Sequence, residues 1–302
     1  MNKILRIGTR DSQLALWQAN TVKSLLEAKG ITAELVPVKS EGDLDLVTPL
    51  YAMGVEGVFT KTLDAYLLSN KIDIAVHSMK DVPTQLAQGI IQAVVLPRAS
   101  YKDILVFRSG AAKQEQYHKI GTGSIRRKAM LLHRYPDCVV DNLRGNVQTR
   151  LQKLQDSDWD GAVFAEAGLS RMNLLPDTYE VLDWMLPAPA QGAIMIVCRT
   201  GEEAVYTACN QLNDETTAIC TRIERDFLKA LMGGCSTPIS ALAQVSDDQI
   251  QFEGNICSPD GAELIVTSRN FALNEWETAG HTAAQDLLQK GAGRIVEAIR
   301  NK

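Results

Sequence analysis

Short runs of Val, Ile and Leu recur along the chain, spaced so that a helix fits between them: LRIGTR from Leu5, AELVPVKS from Ala33, IDIAVHSM from Ile72, IIQAVVLP from Ile90, DILVFRSG from Asp103, CVVDNLRG from Cys138, DGAVFAEAG from Asp160 and AIMIVCR from Ala193. Such alternation of buried strands and helical stretches predicts an α/β class with mainly parallel sheets covered by helices. The first helix is the clearest. Leu14, Trp17, Val22, Leu25 and Leu26 make a broad apolar face, Ser12 stands where an N-cap belongs, and Gly30 sits at the C-terminal cap.

After about residue 215 the pattern changes. A helical run, TTAICTRIERDFLKALM, leads through a glycine turn into the strand-like ISALAQV and QIQFEGNICS, then a Pro-Asp-Gly turn at 259 to 261 and ELIVTSRNF. Two strands meeting at a tight turn make an antiparallel hairpin, and a last helix over roughly 278 to 300 covers one face, so a small α+β domain is predicted here. Proline-bearing breaks at LPRASYKD (96 to 103) and LPAPAQG (186 to 192) divide what precedes it. AIMIVCR, after the second break, is one more buried strand able to rejoin the first sheet. The expected domains are therefore 1–97 with 193–213, 101–187, and 216–302. No strong internal sequence repeat is visible.

Composition narrows the functional classes. The chain has 302 residues, 45% hydrophobic and 22% charged, ordinary for a globular protein and long enough for about two or three domains. The start, MNKILRIGTRDSQ, contains no signal-peptide core, and no later stretch is long enough to span a bilayer, so a cytoplasmic protein without membrane attachment is expected. The net charge of −5 argues against a general affinity for nucleic acid. Six cysteines form no Cys-x-x-Cys pair and four histidines never fall at metal-ligand spacing, so neither a disulfide framework nor a metal site is indicated.

Against that acidic background, arginines gather at three strand ends. RIGTRDS carries Arg10 and Ser12; KIGTGSIRRKAML carries Thr122, Gly123, Ser124, Arg126 and Arg127; VVDNLRGNVQTRL carries Arg144, Asn146 and Arg150. In open α/β sheets ligands bind at the carboxyl ends of strands, and guanidinium grips carboxylate or phosphate with two parallel hydrogen bonds. A single such arginine is usually a solvated surface residue. Gly121-Thr122-Gly123 lacks the third glycine of a dinucleotide fingerprint and the Gly-Lys-Ser/Thr end of a P-loop. Three arginine-bearing crossings point instead to a ligand with several carboxylates.

A fourth strand end, IDIAVHSMKDVP, delivers Lys80 and Asp81 on a segment stiffened by Pro83. Set among arginines, this aspartate stays ionised. It either anchors an arginine or stabilises a cationic intermediate; a carboxylate ~4 Å from a positive centre is worth about 4 kcal/mol at an effective dielectric near 20. Finally, Met232–Pro238, MGGCSTP, places Cys235 on a glycine turn before a proline. Glycines leave space beside the sulfur, although a free cysteine most often behaves as a small buried apolar residue.

In the order RIGTRDSQLALWQ (6 to 18), HSMKDVP (77 to 83), GTGSIRR (121 to 127), LRGNVQTR (143 to 150), AGLSR (167 to 171), LPAPAQGA (186 to 193) and GGCSTPI (233 to 239), the chain resembles the hydroxymethylbilane synthase, or porphobilinogen deaminase, family over nearly its whole length. The resemblance implies two α/β domains like those of type II periplasmic binding proteins, flanking a cleft, and a third domain carrying Cys235. It implies a dipyrromethane cofactor joined to Cys235 through a thioether, and a transferase that adds four porphobilinogen molecules in turn, each losing ammonia, before releasing linear hydroxymethylbilane for haem synthesis. Each pyrrole brings an acetate and a propionate, so the growing ligand is a polyanion.

By motif match Asp81 is the carboxylate that binds pyrrole N–H groups and stabilises the positively charged azafulvene. Arg10, Ser12, Gln18, Lys80, Thr122, Ser124, Arg126, Arg127, Arg144, Arg150 and Arg171 resemble the family's cofactor and substrate ligands, and Ala165 lines the site through its backbone. A monomer is the family expectation. The chain departs from the pattern at Glu56, which replaces a typical loop lysine, at Asp11, Gln13, Glu166, Ala190 and Ser240, and in the segment RASYKD. Two other readings of the residues are a two-domain binder of a small polyanion, which has no use for Cys235, and a cysteine hydrolase, which needs a base beside the thiol; the only motif-borne histidine, His77, is expected in the core.

Overall fold

The computed structural model describes residues 4–39, 57, 59–231 and 237–300. They fall into two compact units. The first takes in the described chain up to Ala99 together with Gly192–Ala218; the second takes in Ser100–Gln191 and the described chain from Ile219 onward. Among the described residues no helix is long and apolar enough to cross a membrane.

Strands are numbered in chain order. In the first unit, β1 (Leu5–Arg10), β2 (Ala33–Val38), β3 (Ile74–Ser78), β4 (Ile90–Val95) and β10 (Ile194–Arg199) form one sheet in the order β2-β1-β3-β10-β4. β1 runs parallel to β2 and β3, whereas β10 is antiparallel to both β3 and β4. Ile7, Ile74, Val76, Ile194 and Ile196 pack with Ala19, Val22 and Leu26 of α1 (Gln13–Glu27) to form the core. That helix ends by a backbone device: Ile31 N–H reaches back to Leu26 O at 3.0 Å while Gly30 takes φ 77°. At the other end Ser12 has the extended conformation of an N-cap, but its hydroxyl makes no cap hydrogen bond, contrary to the expectation from sequence.

In the second unit β5 (Asp103–Phe107), β6 (Lys119–Gly121), β7 (Val139–Asp141), β8 (Gly161–Ala165) and β9 (Tyr179–Val181) form a sheet in the order β7-β6-β8-β5-β9. Here too three strands are parallel and the next, β5, is antiparallel to its neighbours. Each sheet is thus mixed rather than mainly parallel. β5 and β10 are the first strands after the breaks at 96 to 103 and 186 to 192, so no β-helix-β crossover imposes a parallel direction on them.

The remaining sheet is β11 (Ile239–Ser246), β12 (Gln249–Cys257) and β13 (Leu264–Ala272), all antiparallel. Its strands alternate: Ile250, Phe252, Ile256 and Ile265 face Ile223 and Phe227 of α7 (Glu215–Ala230) and Ala283 and Leu287 of α8 (Trp276–Leu287). The last helix is not continuous over 278–300. A π turn at Leu288–Ala292, with Gly291 at φ 100°, separates α8 from α9 (Gly293–Arg300), and only glycine takes that conformation without strain. Along the opposite face lies α3 (Ile125–Arg134). Ala129 O is 3.6 Å from the Cys257 thiol, and His133 Nδ1 is 2.9 Å from Gly261 O.

His77 on β3 lies in the core, and burial, with the charge of Arg10 as a lesser cause, pulls its pKa down from 6.5 to about 4. Between those values the unfolded chain binds the proton and the folded chain does not, so stability falls as pH falls through this window. The shift corresponds to about 3 kcal/mol. Urea denaturation at pH 7 and pH 4 should show the wild type losing most of this amount beyond what a His77→Gln variant loses; equal losses would disprove it.

Candidate functional site

In the first unit the strand ends carry the predicted residues. Arg10 closes β1 with its guanidinium 4.1 Å from the centroid of the Phe59 ring, a cation–π contact that fixes its direction. Gln18, on the buried side of α1, donates from Nε2 to Ser78 Oγ at 2.9 Å. It therefore braces the end of β3. There the chain makes a single 3-10 turn, Met79–Asp81. Met79 and Val82 are buried at the three-residue spacing of that turn, with Met79 N–H bonded to Ala193 O at 3.0 Å. The two apolar anchors turn Lys80 and Asp81, both half-buried, away from the core.

In the second unit two further crossings touch. A Cβ on Gly123 would lie 2.4 Å from Leu143 O, so only glycine lets the loop of Thr122 and Ser124 approach the loop of Arg144. Thr122 is buried and its hydroxyl accepts from Ser124 N–H at 3.3 Å; Ser124 Oγ in turn caps α3 by accepting from Arg127 N–H at 3.4 Å. Asn146 caps α4 (Val147–Asp156) through Thr149 N–H at 2.9 Å. Arg150 Nε donates to Gly145 O at 2.7 Å and Lys153 Nζ to Arg144 O at 3.1 Å, pinning this loop to its own helix.

Arg126 and Arg127 are drawn inward. Both are buried and both bind Asp103, which is itself wholly buried at the head of β5. Arg126 NH2 meets one carboxylate oxygen at 2.5 Å; Arg127 Nε and NH2 meet the other at 3.1 and 2.7 Å. Gln191 Nε2 adds a further bond at 2.9 Å. Two positive groups against one negative leave this buried cluster short of one anion. Burial lowers the Arg126 pKa against the pull of Asp103. Directly opposite Asp103 in register is Ala165, the residue before α5 (Glu166–Arg171). At the far end of that helix, burial pulls Arg171 down to about 10. An added carboxylate relieves both penalties.

Sequence reasoning missed Asp103, Gln191 and Glu224. Asp103 reads as a turn residue before an apolar run. Glu224 reads as a polar position on an amphipathic helix, yet it is buried, accepting from Ala190 N–H at 2.6 Å and Ala243 N–H at 2.9 Å and holding Ala190 at φ 61°. Neither partner is near in sequence, so no local signal marks them.

Cys235, with the rest of 232–236, and Glu56 lie outside the described residues. The five described cysteines are all buried; burial raises Cys138 to about 11 and Cys209 and Cys257 to about 12. Buried as they are, those five are not placed for attachment of a large group. Among the described residues no group of three or more His, Cys, Asp or Glu side chains is arranged to hold a metal ion.

Residues 5–207 match the family model described as porphobilinogen deaminase, dipyromethane cofactor binding domain, and residues 218–289 that of the porphobilinogen deaminase C-terminal domain. The chain is 42% identical to porphobilinogen deaminase of Syntrophotalea carbinolica over 98% of its own length and 96% of the relative's. It is 43% identical to the chloroplastic porphobilinogen deaminase of Oryza sativa subsp. japonica, over 98% and 87%, and 37% identical to that of Campylobacter curvus, over 98% and 97%. Among solved structures, an ancestral cationic amino acid solute binding protein is similar over 69% of this chain and 87% of its own, at 16% identity and a TM-score of 0.42.

Two substitutions test the geometry of the second unit. Asp103→Asn keeps the side-chain shape and removes the charge shared by two buried guanidinium groups, and should cost about 3 kcal/mol in urea denaturation. Gly123→Ala should cost about 2 kcal/mol or more through the clash with Leu143 O. Loss of under 0.5 kcal/mol in either would refute the corresponding contact.

Proposed function

We propose that this chain, which belongs to the porphobilinogen deaminase family, is a transferase whose own residues hold a cysteine-linked dipyrromethane and the pyrroles added to it. It is an enzyme of tetrapyrrole biosynthesis, acting as a hydroxymethylbilane synthase with a dipyrromethane cofactor. The reading of its site is carried by one observation: in the second unit, guanidinium groups outnumber the carboxylate that holds them. A ligand bearing an acetate and a propionate on every ring supplies the missing negative charge.

Cys235 is the proposed attachment point, since the other cysteines are buried. When bound, the dipyrromethane supplies a nucleophilic pyrrole carbon. Arg126, Arg127, Arg144, Arg150 and Arg171 pair with ring carboxylates, and the hydroxyls of Thr122 and Ser124 and the backbone at Ala165 complete the polar lining of the second unit. In the first unit, Arg10, Ser12 and Lys80 bind carboxylates. Gln18 acts through Ser78, keeping the 3-10 turn in place. Asp81 accepts pyrrole N–H hydrogen bonds and stabilises the positive charge that develops on the incoming pyrrole as ammonia departs. Because Met79 and Val82 anchor the turn, the carboxylate needs little reorganisation as that charge appears, and such preorganised electrostatics is worth about 3 to 4 kcal/mol.

We also propose a monomer in the cytoplasm with no nucleic-acid or membrane partner; the net charge of −5 supports the lack of a polyanionic partner of that kind. The three sheets support a division into 1–97 with 193–213, 101–187 and 216–302.

The intact mass of purified protein should exceed the sequence mass by two pyrrole units, with a positive Ehrlich reaction that Cys235→Ala abolishes. An active protein of unmodified mass would overturn the attachment. Asp81→Asn should retain the covalent dipyrrole and lose turnover by two to three orders of magnitude; near wild-type turnover would remove Asp81 from the chemistry.

A further inference from the structure

On the face of the C-terminal sheet turned away from its helices, three cross-strand pairs follow one another in register: Gln244 with Gln251, Leu242 with Glu253, and Ser240 with Asn255. They run from open to closed. Gln244, Gln251 and Glu253 are exposed, whereas Ser240 and Asn255 are buried. A cavity of about 200 Å³ covers the outer two pairs, roofed by Tyr101, Lys102, Leu186 and Pro187. Past its inner end, Ala241 N–H bonds to Pro187 O at 3.1 Å, and Arg126 NH1 bonds to Leu186 O at 2.7 Å.

α3 and β12 run side by side in the same direction. His133 sits at Gly261 and Ala129 at Cys257, so one helical turn back Arg126 arrives beside Asn255. That register puts Arg126 next to the Ser240–Asn255 pair, and one buried polar atom of each residue, Arg126 Nε, Ser240 Oγ and Asn255 Oδ1, has no hydrogen-bond partner among the described residues. They are a donor, a hydroxyl and an acceptor. That set matches the three hydrogen bonds a buried water typically makes, one accepted and two donated.

We propose that the seam is hydrated to its closed end, where water binds Arg126 Nε, Ser240 Oγ and Asn255 Oδ1 together. Ser240 and Asn255 are then positioning residues for a guanidinium that Asp103 and Leu186 hold from its other side. Their importance for turnover rests on the role given to Arg126 above; the hydration does not.

A high-resolution crystal structure of the full-length holoenzyme should contain ordered water within hydrogen-bond distance of all three atoms. A dry site, or direct bonds among them, would overturn the proposal. In solution, the Arg126 Nε–H resonance should lose roughly tenfold in protection from hydrogen exchange in Asn255→Leu, and a smaller amount in Ser240→Ala, which deletes a single atom and leaves folding intact. Thr267→Val also removes a buried hydroxyl without a partner, but on the opposite face of the sheet, and should leave that resonance unmoved. Unchanged protection in both seam variants, or an equal loss in Thr267→Val, would sink the idea. If protection falls in Asn255→Leu while KM and dipyrrole content stay at wild-type values, the seam stands and the ligand role of Arg126 falls.

Discussion

The second unit is organised around one carboxylate. Asp103 is wholly buried and takes hydrogen bonds from two guanidinium groups and an amide. A charge in such a place is tolerated only when opposite charge and hydrogen bonds surround it, and here they come from two stretches of chain distant from it, at Arg126–Arg127 and at Gln191. The carboxylate fixes the first turn of α3, the break that carries Gln191, and the start of the strand that lies opposite Ala165. Its partners carry more charge than it can neutralise, so the cluster is both a clamp on the fold and an incomplete ion pair.

Much of this was legible in the sequence, for identifiable reasons. The apolar runs became strands because a strand buried on both faces has little room for polar side chains, and the Pro-Asp-Gly turn between β12 and β13 advertised its hairpin. Lys80 and Asp81 could be placed at a strand end because the preceding apolar run stops at Ser78. What stayed hidden depends on contacts distant in sequence. Asp103 and Glu224 look like ordinary polar residues until partners 23 to 88 and 19 to 34 positions away are seen beside them. Ser12 shows the converse. It sits where an N-cap residue belongs, yet its hydroxyl makes no cap bond.

Two pairs of arginines each enclose a buried acid. Arg199 and Arg6 are spent on structure, enclosing the buried Asp73 with bonds to backbone and side chain. Arg126 and Arg127, more deeply buried, likewise share one acid, Asp103, whereas Arg199 also meets a second acid, Glu202, at 3.1 Å. The distinction is one of stoichiometry: among the described residues two acids face Arg6 and Arg199, and one faces Arg126 and Arg127.

The two five-stranded sheets share one strand order and one antiparallel insertion although no sequence repeat announces it, and in the first of them the inserted strand is β10. Its place is between β3 and β4, yet it is synthesised about a hundred residues later. On a translating ribosome β3 and β4 therefore emerge with facing edges bare and wait for their common neighbour, while the intervening stretch has everything needed for its own sheet. The first sheet cannot be completed until β10 has emerged, and the interval of exposed edges is when it is most vulnerable to pairing with the wrong strand.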